Sequence, residues 1–123
     1  MQTILLIEDD SQTRKLLRRM LDSAGYNVHE AVDGREGVRL FEQEPADLVI
    51  TDLVMPEQEG IETIRILKQI VPDVKIIAIS GGGRIGPENY LSIAEKLGAI
   101  QTLKKPIKRK DLLTAVKEVL QED

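Results

Sequence analysis

The chain of 123 residues contains no cysteine, no tryptophan and one histidine, His29. Without cysteine there are no disulfides, thiolate metal sites or cysteine nucleophiles, and the composition fits a reducing, cytoplasmic setting. One histidine leaves no basis for a zinc site built on imidazoles, and His29 reads as a structural residue of an edge strand or turn. Aromatic side chains are confined to Tyr26, Phe41 and Tyr90. The core must therefore be aliphatic, and the chain lacks the stacking platforms that single-stranded nucleic acid requires. A net charge of −4 argues against a general polyanion binder, so no direct DNA binding is expected. No apolar run reaches membrane-spanning length, and the start, Met1-Gln2-Thr3-Ile4, has neither the basic opening nor the cleavage site of a signal peptide. What is present is ordinary for a globular protein, 41% hydrophobic and 31% charged. The length fits one compact domain. With no linker or low-complexity segment, residues 1–123 read as a single domain without a separate output domain.

Strand-like apolar runs alternate with amphipathic stretches. Residues 4–7 are expected as the first strand, and Asp10 or Ser11 caps a helix to about Ala24, with Leu16, Leu17, Met20 and Leu21 on one face and Gly25 as its stop. Val28, Glu30 and Val32 alternate as a second strand, and Asp33-Gly34 marks a turn before a short helix carrying Val38, Leu40 and Phe41 to about Glu44. Residues 48–51 form the third strand. A helix over residues 59–70 presents Ile61, Ile64, Leu67 and Ile70 and is ended by Pro72. Residues 74–80 form the fourth strand. A glycine-rich loop over residues 81–86 leads to a fourth helix, opened by Pro87 and closed by Gly98. Residues 100–103 are the fifth strand, and a last helix over residues 109–120 turns Leu112, Val116, Val119 and Leu120 inward.

Five strand–helix units in succession imply an α/β fold, a parallel five-stranded sheet with helices on both faces, the three-layer doubly wound (βα)5 form. Strands one, three and four are continuous apolar runs, as strands covered on both sides should be, whereas two and five are shorter and more polar. The implied order is 2-1-3-4-5, the flavodoxin-like arrangement, whose ligands bind beyond the carboxyl ends of the strands. Those ends carry Glu8, Asp9 and Asp10 after strand one, Asp52 after strand three, Ser80 after strand four, and Lys104, Lys105 and Pro106 after strand five. A lone aspartate after a strand can simply begin a turn or cap a helix. Several carboxylates together repel, however, and call for a hard cation with oxygen ligands, for which Mg2+ fits. A lysine and a hydroxyl facing the same point favour phosphate, and Asp52 becomes a nucleophile able to form an aspartyl phosphate.

These residues resemble a response-regulator receiver domain of two-component signalling over essentially the full chain. The resemblance rests on Ile4-Leu5-Leu6-Ile7-Glu8-Asp9-Asp10, on Asp52-Leu53-Val54-Met55-Pro56 followed by Gly60, on Ile79-Ser80-Gly81, and on Gly98-Ala99 followed by Lys105-Pro106. It implies a phosphorelay protein in which Asp52 is the phosphoacceptor for a histidine kinase or phosphotransfer protein. It also implies Mg2+ held by Glu8, Asp9, Asp52 and the backbone carbonyl of Val54. Ser80 would follow the phosphoryl group, Lys105 would pair with it, and Lys105-Pro106 would be cis. Such a domain is no enzyme beyond self-catalysed phosphoryl acceptance and slow hydrolysis. Phosphorylation would alter the surface around helix four, strand five and helix five, toward an unknown downstream protein or a phosphorylation-dependent dimer.

Two departures from the family pattern stand out. Thr102 occupies the switch position where an aromatic is usual, and the loop after Ser80 is about three residues longer, so residues 81–86 are expected to supply the mobility. Gly81, Gly83 and Gly86 match G-x-G-x-x-G, but after strand four and before a proline, which is the wrong context for a dinucleotide. Lys104, Lys105, Lys108, Arg109 and Lys110 form a basic run, and Arg14, Lys15, Arg18 and Arg19 a basic face on helix one; each is a solvated face or a docking patch. The competing readings are a pseudo-receiver acting as a phosphorylation-independent interaction module, and an aspartate-nucleophile phosphatase, which would need an aspartate where Val54 stands. An apolar side chain at Val54 cannot orient an attacking water. Slow self-dephosphorylation is therefore expected, faster in Val54→Asn. Equal decay of the two phosphorylated proteins, followed by intact mass after donor removal, would refute this.

Overall fold

A computed structural model describes residues 2–53, 59–81, 92 and 95–121. Its strands are β1 (Thr3–Ile7), β2 (Asn27–Ala31), β3 (Leu48–Asp52), β4 (Ile76–Ser80) and β5 (Gln101–Lys104). Between them run α1 (Ser11–Ser23), α2 (Gly34–Gln43) and α3 (Glu59–Ile70), and a C-terminal helix spans Arg109–Leu120. All strand pairs are parallel, in the order β2-β1-β3-β4-β5, as the continuous apolar runs predict.

The three layers follow from side-chain alternation along the central strands. Ile4, Leu6, Leu48, Ile50, Ile77 and Ile79 point to one face, where Leu17 and Leu21 of α1 and Leu112 and Val116 of the C-terminal helix cover them. Leu5, Ile7, Val49 and Ala78 point to the other, against Phe41 of α2 and Ile64 and Leu67 of α3. Every residue of β3 and β4 is buried, whereas β5 is only partly so. The central strands are therefore packed to their carboxyl ends, where Asp52 and Ser80 stand.

Local signals set the helix ends. Asp10 caps α1 by accepting from the Thr13 N–H at 2.9 Å, and Gly25 (φ 92°) takes the left-handed turn after it. Asp33, expected in a turn, instead caps α2 by accepting from the Glu36 N–H at 2.8 Å, and Glu36 returns a bond to the Val32 N–H. Some expectations give way to tertiary context. Leu16 and Ile70 lie at the flanks of their helical stripes and are exposed, 51% and 39%. Val32 falls beyond β2 and is exposed. The Val74 N–H closes a turn onto Val71 O, so β4 begins two residues later than the apolar run. β5 likewise starts at Gln101, with Ile100 exposed before it. Of the expected fourth helix, residues 92 and 95–97 are helical and Gly98 (φ 110°) follows; Pro87 and Gly82 to Gly86 lie outside the described residues.

One glycine couples the fold to the site. A Cβ on Gly60 would lie 2.2 Å from Asp52 O and 2.6 Å from Leu53 Cα. The first turn of α3 therefore packs directly on the backbone at the end of β3, and neither neighbour is a flexible side chain. Gly60→Ala is expected to cost about 1–3 kcal/mol or more through this overpacking, read as a lower urea midpoint at unchanged m-value.

Candidate functional site

The site is assembled at the carboxyl edge of the sheet. Glu8 follows β1, Asp52 ends β3 and Ser80 ends β4, and all three are buried, while Asp9 is exposed. Strand-like bonds extend past the strand ends: Leu53 N–H donates to Ile79 O and Lys105 N–H to Ser80 O, each at 2.9 Å. These bonds bring Lys105, after β5, over the end of β3. Its Nζ donates to Asp52 Oδ2 at 2.9 Å and lies 2.8 Å from Glu8 Oε1. Carboxylate oxygens of Glu8, Asp9 and Asp52 lie within 4.8 Å of one another. The Lys105-Pro106 peptide is cis, as the resemblance implies.

Burial pushes the Glu8 carboxyl up to about 7; the Lys105 ammonium opposes that rise and the Asp52 charge adds to it. Burial works against the Lys105 ammonium, but the two carboxylates outweigh it and hold its pKa above the ordinary value. Two buried polar atoms have no aligned hydrogen-bond partner among the described residues, Glu8 Oε1 and Ser80 Oγ. The first is the ion-pair partner of Lys105 at 2.8 Å and, as a carboxylate oxygen, keeps a further lone pair facing the neighbouring carboxylates. The second is a buried hydroxyl at the end of β4. An all-oxygen donor set with spare acceptor capacity fits a hard divalent cation such as Mg2+, which keeps several waters and takes one or two carboxylates.

Asp10, which shares the acidic run, is occupied elsewhere. Its Oδ2 accepts from the Thr13 N–H and from the Thr13 hydroxyl, at 2.6 Å, and these bonds hold its carboxyl below the usual range. Thr102 sits on β5, half-buried, opposite Ala78 on β4. Val54 lies outside the described residues. His29 is on edge strand β2, with its Nε2 3.8 Å from Glu44 and 3.5 Å from the Asn27 amide. The basic face of α1 is partly committed: Arg14 lies 3.4 Å from Glu30, and Arg18 pairs with both Glu30 and Asp22.

Two residues matter more than the sequence reading allowed. A Cβ on Gly81 would lie 2.3–2.8 Å from the Lys105 Cβ, Cγ and Cδ, so the bare glycine lets the lysine stem cross the end of β4. A glycine directly after the strand-end Ser80 was the available signal. Arg14 Nη1 donates to Glu8 O at 2.8 Å, a contact with no sequence signal, because it depends on how α1 lies against the β1 end.

Comparison with known proteins agrees with this geometry. The family model of the response regulator receiver domain matches residues 4–117. The chain is 35% identical over 122 residues to the response regulator receiver protein CpdR of Brucella abortus, covering 98% of both chains. It is 39% identical over 121 residues to the sensor kinase CckA of the same organism, covering 97% of this chain but spanning only 12% of that protein. A receiver domain structure from Clostridium thermocellum superposes with a TM-score of 0.89 at 31% identity, covering 98% of this chain and 95% of that one. The chain belongs to the response regulator receiver domain family. Its members are signalling switches of two-component systems that bind Mg2+ at an acidic site.

With the Glu8 carboxyl raised, Mg2+ binding is expected to depend on pH. Burial raises the Glu8 carboxyl to about 7, so below that value a proton is expected to compete with a cation for this carboxylate. The apparent Mg2+ dissociation constant is expected to be flat above about pH 8 and to rise toward about tenfold per pH unit below about pH 6. Calorimetric titration across this range checks it, and Glu8→Gln should flatten the slope.

Proposed function

We propose that the protein is a phosphoacceptor switch whose Asp52 takes a phosphoryl group from a histidine kinase or a phosphotransfer protein. The observation that supports this most is the Lys105 ammonium, held between Asp52 and Glu8 at 2.9 and 2.8 Å. The Asp52 carboxylate attacks phosphorus, the phosphorus–nitrogen bond of the donor histidine breaks, and the imidazole leaves with that electron pair. Lys105 then balances charge on the phosphoryl oxygens, and Ser80 donates its hydroxyl to one of them. Glu8, Asp9, Asp52 and the Val54 carbonyl are the residues assigned to Mg2+. When bound, that ion neutralises phosphoryl charge.

The output in this reading is a changed surface around the helix before β5, β5 itself and the C-terminal helix, read by a downstream protein or a second copy. Residues 1–123 act as one receiver domain. No helix among the described residues is long and apolar enough to cross a membrane, and we place the switch in the cytoplasm, where histidine kinases present their phosphoryl group. One observation favours a second reading. Thr102 provides no aromatic to swing inward, which is what a phosphorylation-independent pseudo-receiver would tolerate.

Intact mass after incubation with a small phosphodonor separates the two. Wild type with Mg2+ is expected to gain one phosphoryl group, and to gain none without Mg2+ or as Asp52→Ala. A folded wild-type protein that gains nothing with Mg2+ present would establish the pseudo-receiver.

A further inference from the structure

The β1–α1 connection carries two of the three pocket carboxylates, and the chain leaves the sheet at Glu8. The Glu8 N–H is still tied to β2, donating to Ala31 O at 3.1 Å. Its carbonyl lies past Ile7, the last β1 residue in register with both β2 and β3, so no strand donor is left for it. Arg14 supplies one, with Nη1 at 2.8 Å from Glu8 O. Arg14 stands on α1, where its own N–H donates to the Asp10 carbonyl, and its side chain is only 16% exposed. A largely desolvated guanidinium on a carbonyl makes a charge-assisted bond, stronger than a neutral one. Its Nε faces Glu30 Oε1 on β2 at 3.4 Å, while Arg18 takes the other Glu30 oxygen. The Glu8 carboxylate in turn accepts from the Asp10 N–H at 3.2 Å.

We propose that Arg14 is a positioning residue for the acidic pocket: Glu30 orients its guanidinium, and the guanidinium fixes the Glu8 carbonyl so that Glu8 and Asp9 converge on Asp52. The proposal rests on the cation-dependent reading above. It assigns Arg14 an inward task, distinct from a solvated or docking face of α1. A cation that demands near-octahedral geometry is sensitive to such support, and loss of an outer partner of a metal ligand typically weakens binding 10- to 100-fold.

The test uses the full chain and two readouts. In calorimetric Mg2+ titration, Arg14→Met is expected to raise the dissociation constant about tenfold or more, Arg14→Lys to recover part of the loss, and Glu30→Gln to shift it the same way by less. Arg18→Met removes a cation from the same network without touching Glu8. It is expected to lower stability in urea yet leave Mg2+ binding unchanged. Without Mg2+, Arg14→Met is expected to speed amide exchange at Asp9 and Asp10, and Arg18→Met is not. A wild-type dissociation constant in Arg14→Met, or an equal loss in Arg18→Met, overturns the proposal. If Arg14→Met does not unfold cooperatively, unchanged binding in both Arg14→Lys and Glu30→Gln overturns it. A wild-type protein that binds no Mg2+ refutes the cation reading, whereas unchanged exchange at Asp9 and Asp10 in Arg14→Met refutes the tether alone.

Discussion

The site depends on one ammonium set between two buried carboxylates. Glu8 and Asp52 are 1% and 3% exposed, and two anions so close and so dry cannot both stay ionised without compensation. Lys105 touches both. It arrives from a strand end two places away in the sheet, so the pocket exists only when β1, β3 and β5 are in register. Charge balance here is therefore a readout of correct folding, and the sheet order is what makes it available.

The scaffold meets this demand by removing atoms as much as by adding contacts. Gly81 has no side chain where the Lys105 stem crosses, and Gly60 has none where α3 meets the Asp52 backbone. Fully buried β3 and β4 give Asp52 and Ser80 little freedom. The β1–α1 connection lacks that support, since the sheet ends at Ile7, and it is there that the Arg14 guanidinium takes the carbonyl.

The fold was legible because it follows from period and burial. Continuous apolar runs marked the central strands, and helical periodicity marked α1, α3 and the C-terminal helix. Asp52, Glu8, Asp9, Ser80 and Lys105 were legible because strand ends converge in a parallel sheet. Exposure of Leu16 and Ile70 was not, because a stripe of apolar residues does not tell how wide the covering surface is. The ties of Arg14 and Arg18 were also hidden, because sequence shows a helix's charges but not which neighbouring strand faces them. Glu30 looked like an ordinary polar residue of an edge strand, and only packing against α1 made it the counter-charge of two arginines.

The remaining asymmetry is between the pocket and the surface that reports on it. Glu8 and Asp52 share the Lys105 ammonium with Asp9 close by, and burial pushes the Glu8 carboxyl up to about 7. In the proposed function a divalent cation takes the place of a proton there and supplies charge that a phosphoryl group can use. A ligand shifts a conformation only by what it contacts differently in the two states. In the proposed switch the phosphoryl contact falls on the Ser80 hydroxyl, whose residue pairs with Lys104, two residues from Thr102 on β5. β5 is a four-residue edge strand with no fully buried residue, so it is the least anchored part of the sheet beside the site. In the proposed switch a pull on Ser80 therefore reaches the β4–β5 pair first. With a small threonine at Thr102, displacement of that pair, more than rotation of an aromatic ring, is the route this sequence leaves open.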